Sequence, residues 1–339
     1  MIDKDFHQTA WDAAIEDDLR ELLRLAIRED LGALGDCTTA ALVPEGAVGQ
    51  AAVVARQTGV VAGLPAAEMV CKQIDARLQW TPYVEDGAAV QPGNRVAQIA
   101  GPARGLLTAE RLLLNLLGRL SGIASLTRKY VDAVAGAKAR IFDTRKTTPG
   151  WRRLEKYAVR AGGGWNHRTG LFDAILIKDN HLALWGEEEK GRRGEEETVR
   201  SHAPFLPVSP SPLLPFSPSR GLAEAVRQAR EWIRKHMSEP DGSRMIVEIE
   251  VDTLKQLEAV LPAGPDIVLL DNMTPGDLRA AVARRDAVNP EVQLEASGGV
   301  TLETVRAIAE SGVDRISVGA LTHSAASLDI GLDWMASGP

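Results

Sequence analysis

Two hydrophobic rhythms divide this chain. Over residues 17–28, Leu19, Leu22, Leu23, Ala26 and Ile27 recur on one stripe, which predicts an amphipathic helix that Gly32 and Gly35 bring to an end. From 49 to 105 the helical spacing gives way to short β-branched segments at 51–55, 60–61, 78–84 and 95–99. They are punctuated by Gly and Pro, as at Gln91-Pro-Gly-Asn94. That text predicts a small antiparallel sheet with a helix near 65–77. A second long helix is expected from Thr108 as its cap, with Glu110 in the first turn and Leu112, Leu113, Leu116 and Leu117 inside.

Beyond about residue 138 short apolar runs alternate with helical patterns. The expected strands are 139–143, 174–178, 245–251, 266–270, 292–296 and 314–318, and the helices 221–236, 253–260, 275–285 and 301–311. Apolar runs separated by helices predict parallel strands in an α/β layer or barrel. Most of the runs end on a polar residue or glycine: Asp143, Lys178, Glu250, Asp271, Ser297 and Gly319. Both an α/β barrel and an open doubly wound sheet gather their chemistry at that end of the strands.

Residues 186–220 break the pattern. A charge run, Gly186-Glu-Glu-Glu-Lys-Gly-Arg-Arg-Gly-Glu-Glu-Glu197, precedes a Ser/Pro tract that holds six of the 18 prolines. Such a composition cannot offset its own ordering entropy, so a disordered surface insertion is expected there. The 339-residue chain, 45% hydrophobic and 25% charged, has material for two cores. Cys37 and Cys71 make neither a disulfide framework nor a zinc site. With no membrane-length apolar stretch and no signal-like start, a cytoplasmic enzyme is expected.

Charge then changes the picture. Between Arg145 and Lys178 lie eight Lys/Arg and His167, against Glu155 and Asp173, in a protein of net charge -7. A concentrated cationic stretch inside an acidic chain predicts a local anion site and argues against a nucleic-acid coat. Arg145 supplies a planar fork for carboxylate or phosphate and Lys146 a point charge. His167 and Arg168 follow Gly162-Gly-Gly164, which permits close backbone approach, and Lys178 ends the next strand. Glu250 and Asp271 fit either a divalent metal that carries phosphates or salt bridges to those cations, and the pattern alone leaves both open. The small residues at Glu295-Ala-Ser-Gly-Gly299 and Val318-Gly-Ala320 suit phosphate cradles. The residues predict an enzyme for a multiply charged, phosphorylated substrate with Mg²⁺.

A set of ordered stretches resembles the quinolinate phosphoribosyltransferase family. They include Arg28-Glu-Asp-Leu-Gly32, Gly59-Val-Val-Ala-Gly63, Glu110-Arg111, Asp143-Thr-Arg-Lys-Thr-Thr-Pro-Gly150, Gly162-Gly-Gly-Trp-Asn-His-Arg168, Val247-Glu-Ile-Glu-Val251, Leu269-Leu-Asp-Asn272 and Gly319-Ala-Leu-Thr-His-Ser324. The resemblance spans nearly the whole chain except about 186–220. It implies a type II phosphoribosyltransferase fold, with an N-terminal α/β sandwich over 1–120 and an incomplete α/β barrel over 121–321. C-terminal helices at about 322–339 would rejoin the first domain.

The implied reaction joins quinolinate to 5-phosphoribosyl diphosphate, releasing pyrophosphate and CO₂ and giving nicotinate mononucleotide for NAD synthesis. By the same resemblance, Arg145, His167, Arg168 and Lys178 hold the two carboxylates. Arg111 comes from the second subunit of a homodimer. Lys146 and Thr147 contact the phosphoribosyl donor, and Glu250 and Asp271 bind its ribose and Mg²⁺. Ser297, Gly298 and Gly299, with Val318, Gly319 and Ala320, cradle the 5-phosphate. Two other readings stay open: a related transferase with another acceptor (nicotinate, or that of ModD-type proteins), and a non-catalytic scaffold that docks through its Pro-rich insert.

Overall fold

The structure is a computed structural model that describes residues 5–192 and 218–335, with side chains over 5–185 and 221–335. The chain opens with Ala13–Leu31 (α1) and Cys37–Leu42 (α2). Val48–Ala55 (β1), Gly59–Val60 (β2), Leu64–Ile74 (α3), Gln79–Pro82 (β3), Ala89–Val90 (β4) and Arg95–Pro102 (β5) follow. The helix Ala103–Ala133 (α4) leads to Arg140–Phe142 (β6), Arg152–Ala161 (α5), Ile175–Ile177 (β7) and Asp179–Arg192 (α6). Then come Pro218–His236 (α7), Asp241–Arg244 (α8), Val247–Val251 (β8), Leu254–Val260 (α9), Ile267–Asp271 (β9) and Pro275–Val288 (α10). Gln293–Ser297 (β10), Val305–Ala309 (α11), Arg315–Ser317 (β11), Ala320–His323 (α12) and Ile330–Trp334 (β12) complete the order.

One compact unit comprises Met1–Asp5, Leu171–Gly298 and Ser311–Asp314. In it β7, β8, β9 and β10 lie side by side in that order, every pair parallel. Val247–Ile249, Ile267–Leu270 and Leu294–Ala296 are buried at consecutive positions, as strands covered on both faces must be. Helix α7 packs on β7, β8 and α9, and α10 on α9. Thr253 starts α9 with a reciprocal capping box to Gln256, and Thr274 caps α10 ahead of Pro275.

The other unit comprises Phe6–Gly170, Gly299–Glu310 and Arg315–Pro339. Its antiparallel sheet runs β12-β1-β5-β3, and β6 pairs in parallel with β11. Ala51 to Ala55 are all buried in β1. Helix α4 packs against α3, α5, β1, β5 and β12. Its apolar stripe Leu106, Leu113, Leu117 and Leu120 is fully or nearly fully buried. The α/β fold expected from the alternation is present, and each of the six expected strands after residue 138 is found within two residues of its expected ends.

Several expectations need correction. Helix α4 starts at Ala103, directly after the β5 residue Pro102, so Thr108 is not its cap. The Thr108 hydroxyl instead donates to Asp36 Oδ2 at 3.0 Å. The chain does return to the N-terminal sheet, but as a strand rather than helices: β12 pairs with β1 from Ala55↔Ile330 to Ala51↔Trp334. Ile330 and Leu332 alternate with more polar positions there, which is strand periodicity. Helix α6 runs into the charge run as far as Arg192 and α7 begins at Pro218, while the core of the expected disordered insertion lies outside the described residues. Among the described residues no helix is long and apolar enough to cross a membrane.

Asp36 is a stability determinant of the N-terminal region. Its carboxylate accepts the Thr39 amide at 2.9 Å and caps α2. The Thr39 hydroxyl first, then that amide, hold its carboxyl below the ordinary value. A lowered carboxyl stabilises the fold above the unfolded-state value and loses that contribution as pH falls through the folded one. Asp36→Ala is expected to cost about 1 kcal/mol in urea unfolding at neutral pH. The difference from the parent should shrink in acid; an equal gap at all pH values would contradict the capping role.

Candidate active site

Strand register places the first group of candidate residues. In β-strands, residues two apart share a face. Leu176 of β7 pairs with Glu248 of β8, so Lys178 emerges on the same side as Glu250. Glu250 lies beside Leu269, Leu269 beside Glu295, and Asp271 beside Ser297. Lys178, Glu250, Asp271 and Ser297 therefore occupy one face at the C-terminal edge of the four strands. The Lys178 ammonium donates to Glu250 Oε2. Of the two roles the pattern left open for Glu250, an ion pair to one of the cations is present.

Asp271 Oδ2 accepts the Asn272 amide at 2.7 Å. Asp252, one residue past β8, has its carboxyl raised first by desolvation, then by the charges of Asp271 and Asp179. These carboxylates share one negative field. Gly298 has φ +92°, and a Cβ there would lie 2.2 Å from Asn272 Oδ1, so the Ser297-Gly298 turn tolerates only glycine.

The second group is organised around β6. On one side Val318 N donates to Phe142 O at 2.9 Å. On the other, Trp165 N donates to Ile141 O at 2.8 Å and Asp143 N to Trp165 O at 3.0 Å. These bonds set three segments side by side: Thr144 to Thr148, Asn166 to Thr169, and Val318 to Ala320. Arg145, Lys146, Thr147, His167, Arg168, Gly319 and Ala320 sit on them. Thr322 Oγ1 holds the Lys146 carbonyl at 2.8 Å. A Cβ on Gly319 would come within 3.1 Å of Lys146 Cδ, so this glycine leaves room for the lysine stem. Gly299 belongs to this unit, and Arg111 is exposed on α4.

The cationic stretch sorts into structural and open charges. The Lys156 ammonium donates to Asp143 Oδ1, both residues being fully buried. Arg153 pairs with Asp18 at 2.8 Å. Arg160 donates to Gly164 O and lies over the Trp165 ring. Arg152 ties two of the three segments together, through Thr147 Oγ1 at 3.0 Å and Thr169 O at 3.1 Å. Burial and then the neighbouring Arg145 cation lower its pKa, so two guanidinium charges sit close together. Among the described residues neither Arg145 nor Lys146 has a carboxylate partner, and the buried Arg145 Nε has no hydrogen bond. A buried donor left open is costly unless a ligand oxygen meets it.

The buried Asp143 carboxylate organises His167. Besides Lys156 it accepts the His167 N–H at 2.8 Å and the Asn166 amide at 2.7 Å, while Lys156 also donates to His167 O at 2.9 Å. His167 Nδ1 in turn accepts the Arg168 N–H at 2.9 Å, so in the neutral ring Nε2 carries the hydrogen. A second buried carboxylate, Glu155, accepts the Thr148 hydroxyl at 2.9 Å and Arg119 at 2.7 Å. Arg119 also donates to the carbonyls of Thr322 and Ala325.

The family description "Quinolinate phosphoribosyl transferase" matches twice: its N-terminal domain over residues 36–121 and its C-terminal domain over 123–207 and 219–333. The chain belongs to the quinolinate phosphoribosyltransferase family. The matched residues pass over 208–218, inside the Ser/Pro tract. A nicotinate-nucleotide pyrophosphorylase [carboxylating] of Mycobacterium leprae is 43% identical over 321 residues, covering 94% of this chain and 97% of that protein. A quinolinate phosphoribosyltransferase [decarboxylating] of Nicotiana tabacum is 35% identical over 327 residues, covering 93% and 82%. The solved nicotinate-nucleotide pyrophosphorylase of Francisella tularensis superposes with TM-score 0.79 at 34% identity, over 98% of this chain and 100% of that one.

For this quinolinate phosphoribosyltransferase family member, sequence reasoning missed Asp252, Arg152 and the supporting roles of Asp143, Lys156 and Asn166. Asp252 had a signal, since Glu248, Glu250 and Asp252 stand two apart across the end of a strand. Lys156 had none, because it reads like the other cations of its helix.

Proposed function

We propose that this protein transfers the phosphoribosyl group of 5-phosphoribosyl diphosphate to quinolinate with loss of CO₂, giving nicotinate mononucleotide and pyrophosphate. The observation that carries the reading is the open charge at Arg145 and Lys146, beside His167 and Arg168, in a stretch whose other cations are committed to protein partners. Arg145, His167 and Arg168 would take the carboxylates of the acceptor, the guanidinium groups as forks and the imidazole through Nε2. Lys178, already paired with Glu250, would be a further positioned charge for a carboxylate.

Lys146 would stabilise the negative charge that leaves with pyrophosphate as the ring nitrogen attacks C1 of the ribose. Thr147 would contact the donor, and Ser297 to Gly299 and Val318 to Ala320 would cradle its 5-phosphate. Glu250 and Asp271 would hold Mg²⁺, with Asp252 and Asp179 adding to the negative field. Bound there, the ion supplies neutralising charge to the diphosphate. The ring nitrogen, once quaternised, is the electron sink for loss of the neighbouring carboxylate as CO₂. The ring carbon that CO₂ leaves takes up one proton from water; little other acid–base work is needed, so orientation and electrostatics carry the rate.

A homodimer and a cytoplasmic setting complete the proposal. Arg111, exposed on α4, would reach the partner's acceptor site. The free thiols of Cys37 and Cys71 suit a reducing compartment.

The test is direct: incubation with quinolinate, 5-phosphoribosyl diphosphate and Mg²⁺ should yield CO₂ and nicotinate mononucleotide in equal amounts. Product from nicotinate instead, with no CO₂, would replace the acceptor in this reading. An Arg111→Ala protein mixed with a Lys146→Ala protein is expected to regain about a quarter of parental activity through hybrid dimers with one intact site. A mixture as inactive as its components would remove the shared site.

A further inference from the structure

A closed circuit of bonds lies behind the turn that carries Lys146. Glu155 is fully buried in the first turn of α5, and its carboxylate reaches back to that turn. Oε1 accepts the Thr148 hydroxyl at 2.9 Å and Oε2 the Thr148 N–H at 3.2 Å. Arg119 of α4 donates to the same Oε1 at 2.7 Å. Its guanidinium then spans to the segment after β11, donating to Ala325 O at 2.8 Å and to Thr322 O. Thr322 completes the circuit, since its hydroxyl donates to Lys146 O at 2.8 Å. Helices α4, α5 and α12 pack on one another, so three separate stretches of chain meet here.

The two arms of the circuit bear the residues read as donor contacts. One arm is the turn with Lys146 and Thr147, and the other runs from Val318 to Ala320 directly into Thr322. Backbone pairing fixes only the roots of these arms, through Asp143 N on Trp165 O and Val318 N on Phe142 O. Beyond the roots, Glu155, Arg119 and Thr322 hold one arm against the other. A buried ion pair adds little stability over an apolar pair of the same volume. What this one supplies is direction: a carboxylate with three donors and a guanidinium with three acceptors admit one arrangement of the segments they join.

We infer that Glu155 and Arg119 are positioning residues for the phosphoribosyl donor, keeping the Lys146 to Thr148 turn at a fixed separation from Val318 to Ala320. Neither touches substrate in this scheme. A donor that contacts both arms binds well only when their spacing is right. The inference rests on the reading of those two segments as donor contacts, and its test is chosen to separate the two.

Glu155→Gln is the informative variant. It keeps the shape of the side chain and removes the charge, and in either orientation its NH₂ faces a donor. Steady-state kinetics and amide hydrogen exchange of the substrate-free protein are both measured. The expected result is a KM for 5-phosphoribosyl diphosphate raised about tenfold. The quinolinate KM should stay within about threefold, because His167 and Arg168 are held from Asp143, outside the circuit. Exchange over 144–148 should quicken about tenfold while β1 and β5 exchange as in the parent. Thr148→Val is the milder variant, since it removes one bond and keeps the ion pair. Its melting temperature should stay within about 4 °C of the parent. Both readings should move about threefold in the same direction. A donor KM within about twofold of the parent in Glu155→Gln, an equal rise of both KM values, or unaltered exchange over 144–148 overturns the inference. If Glu155→Gln does not fold, parental readings in Thr148→Val overturn it instead. If the parent protein fails to turn over 5-phosphoribosyl diphosphate, the proposed function falls, and exchange over 144–148 alone then decides whether the pair holds the turn.

Discussion

Lys146→Ala is expected to lower kcat by a factor of about 10²–10³ while the protein folds as before. Lys146 is exposed and its ammonium has no carboxylate partner among the described residues, so truncation leaves no buried group unsatisfied. Its backbone stays fixed, because the Thr322 hydroxyl holds its carbonyl and the neighbouring Thr144 hydroxyl accepts its N–H at 3.0 Å. What disappears is one positive charge aimed past Gly319. If that charge meets pyrophosphate only as the C1 bond breaks, the loss falls on kcat, and the KM for quinolinate moves little. Steady-state rates within a few-fold of the parent would remove Lys146 from the chemistry.

Lys156→Met should be the most damaging change to stability, at about 3–5 kcal/mol. The ammonium is fully buried against Asp143, and its loss leaves a carboxylate with two remaining donors and no counter-charge. Burial already pushes the Asp143 carboxyl up, opposed first by the Lys156 charge, so loss of the ammonium should push it further up. The double variant Asp143→Asn with Lys156→Met is expected to recover part of the loss, because a neutral amide costs less to bury than an orphaned charge. Urea unfolding of the two proteins checks this. A single variant within about 1 kcal/mol of the parent would show the pair to be dispensable. Recovery of stability without recovery of quinolinate affinity would show that Asp143 also serves to place the His167 N–H.

The strand ends were the legible part of this protein. Asp143, Lys178, Glu250, Asp271, Ser297 and Gly319 each close a short apolar run, and the structure sets each one within two residues of the C-terminal end of a parallel strand. Period and length are local properties, and β8, β9 and β10 express them almost residue for residue. The partners of those residues were not legible. Nothing in the spacing says that Lys178 spends its charge on Glu250, or that Lys156 turns inward to Asp143 while Lys146 faces out. Those choices depend on which face of a helix or turn meets the core, and a lysine reads the same on either.

The start of α4 was misplaced for a related reason. Thr108 looks like a cap, yet the strand before it runs directly into the helix and the hydroxyl serves Asp36 instead. The role of Arg119 needed contacts across more than 200 positions, with Arg119 and Thr322 separated by 203, which no periodicity reports.

The pairing of β12 with β1 carries a consequence for biogenesis. About 275 residues separate Ala55 from its sheet partner Ile330, so at typical elongation rates roughly 14–55 s pass on the ribosome before the last strand emerges. Throughout that interval β1 offers an unsatisfied, apolar edge to any extended chain nearby, which is the template on which nascent proteins aggregate. Growth temperature and chaperone supply should therefore govern the soluble yield of this protein through that one late-closing seam, more than through the composition of its surface.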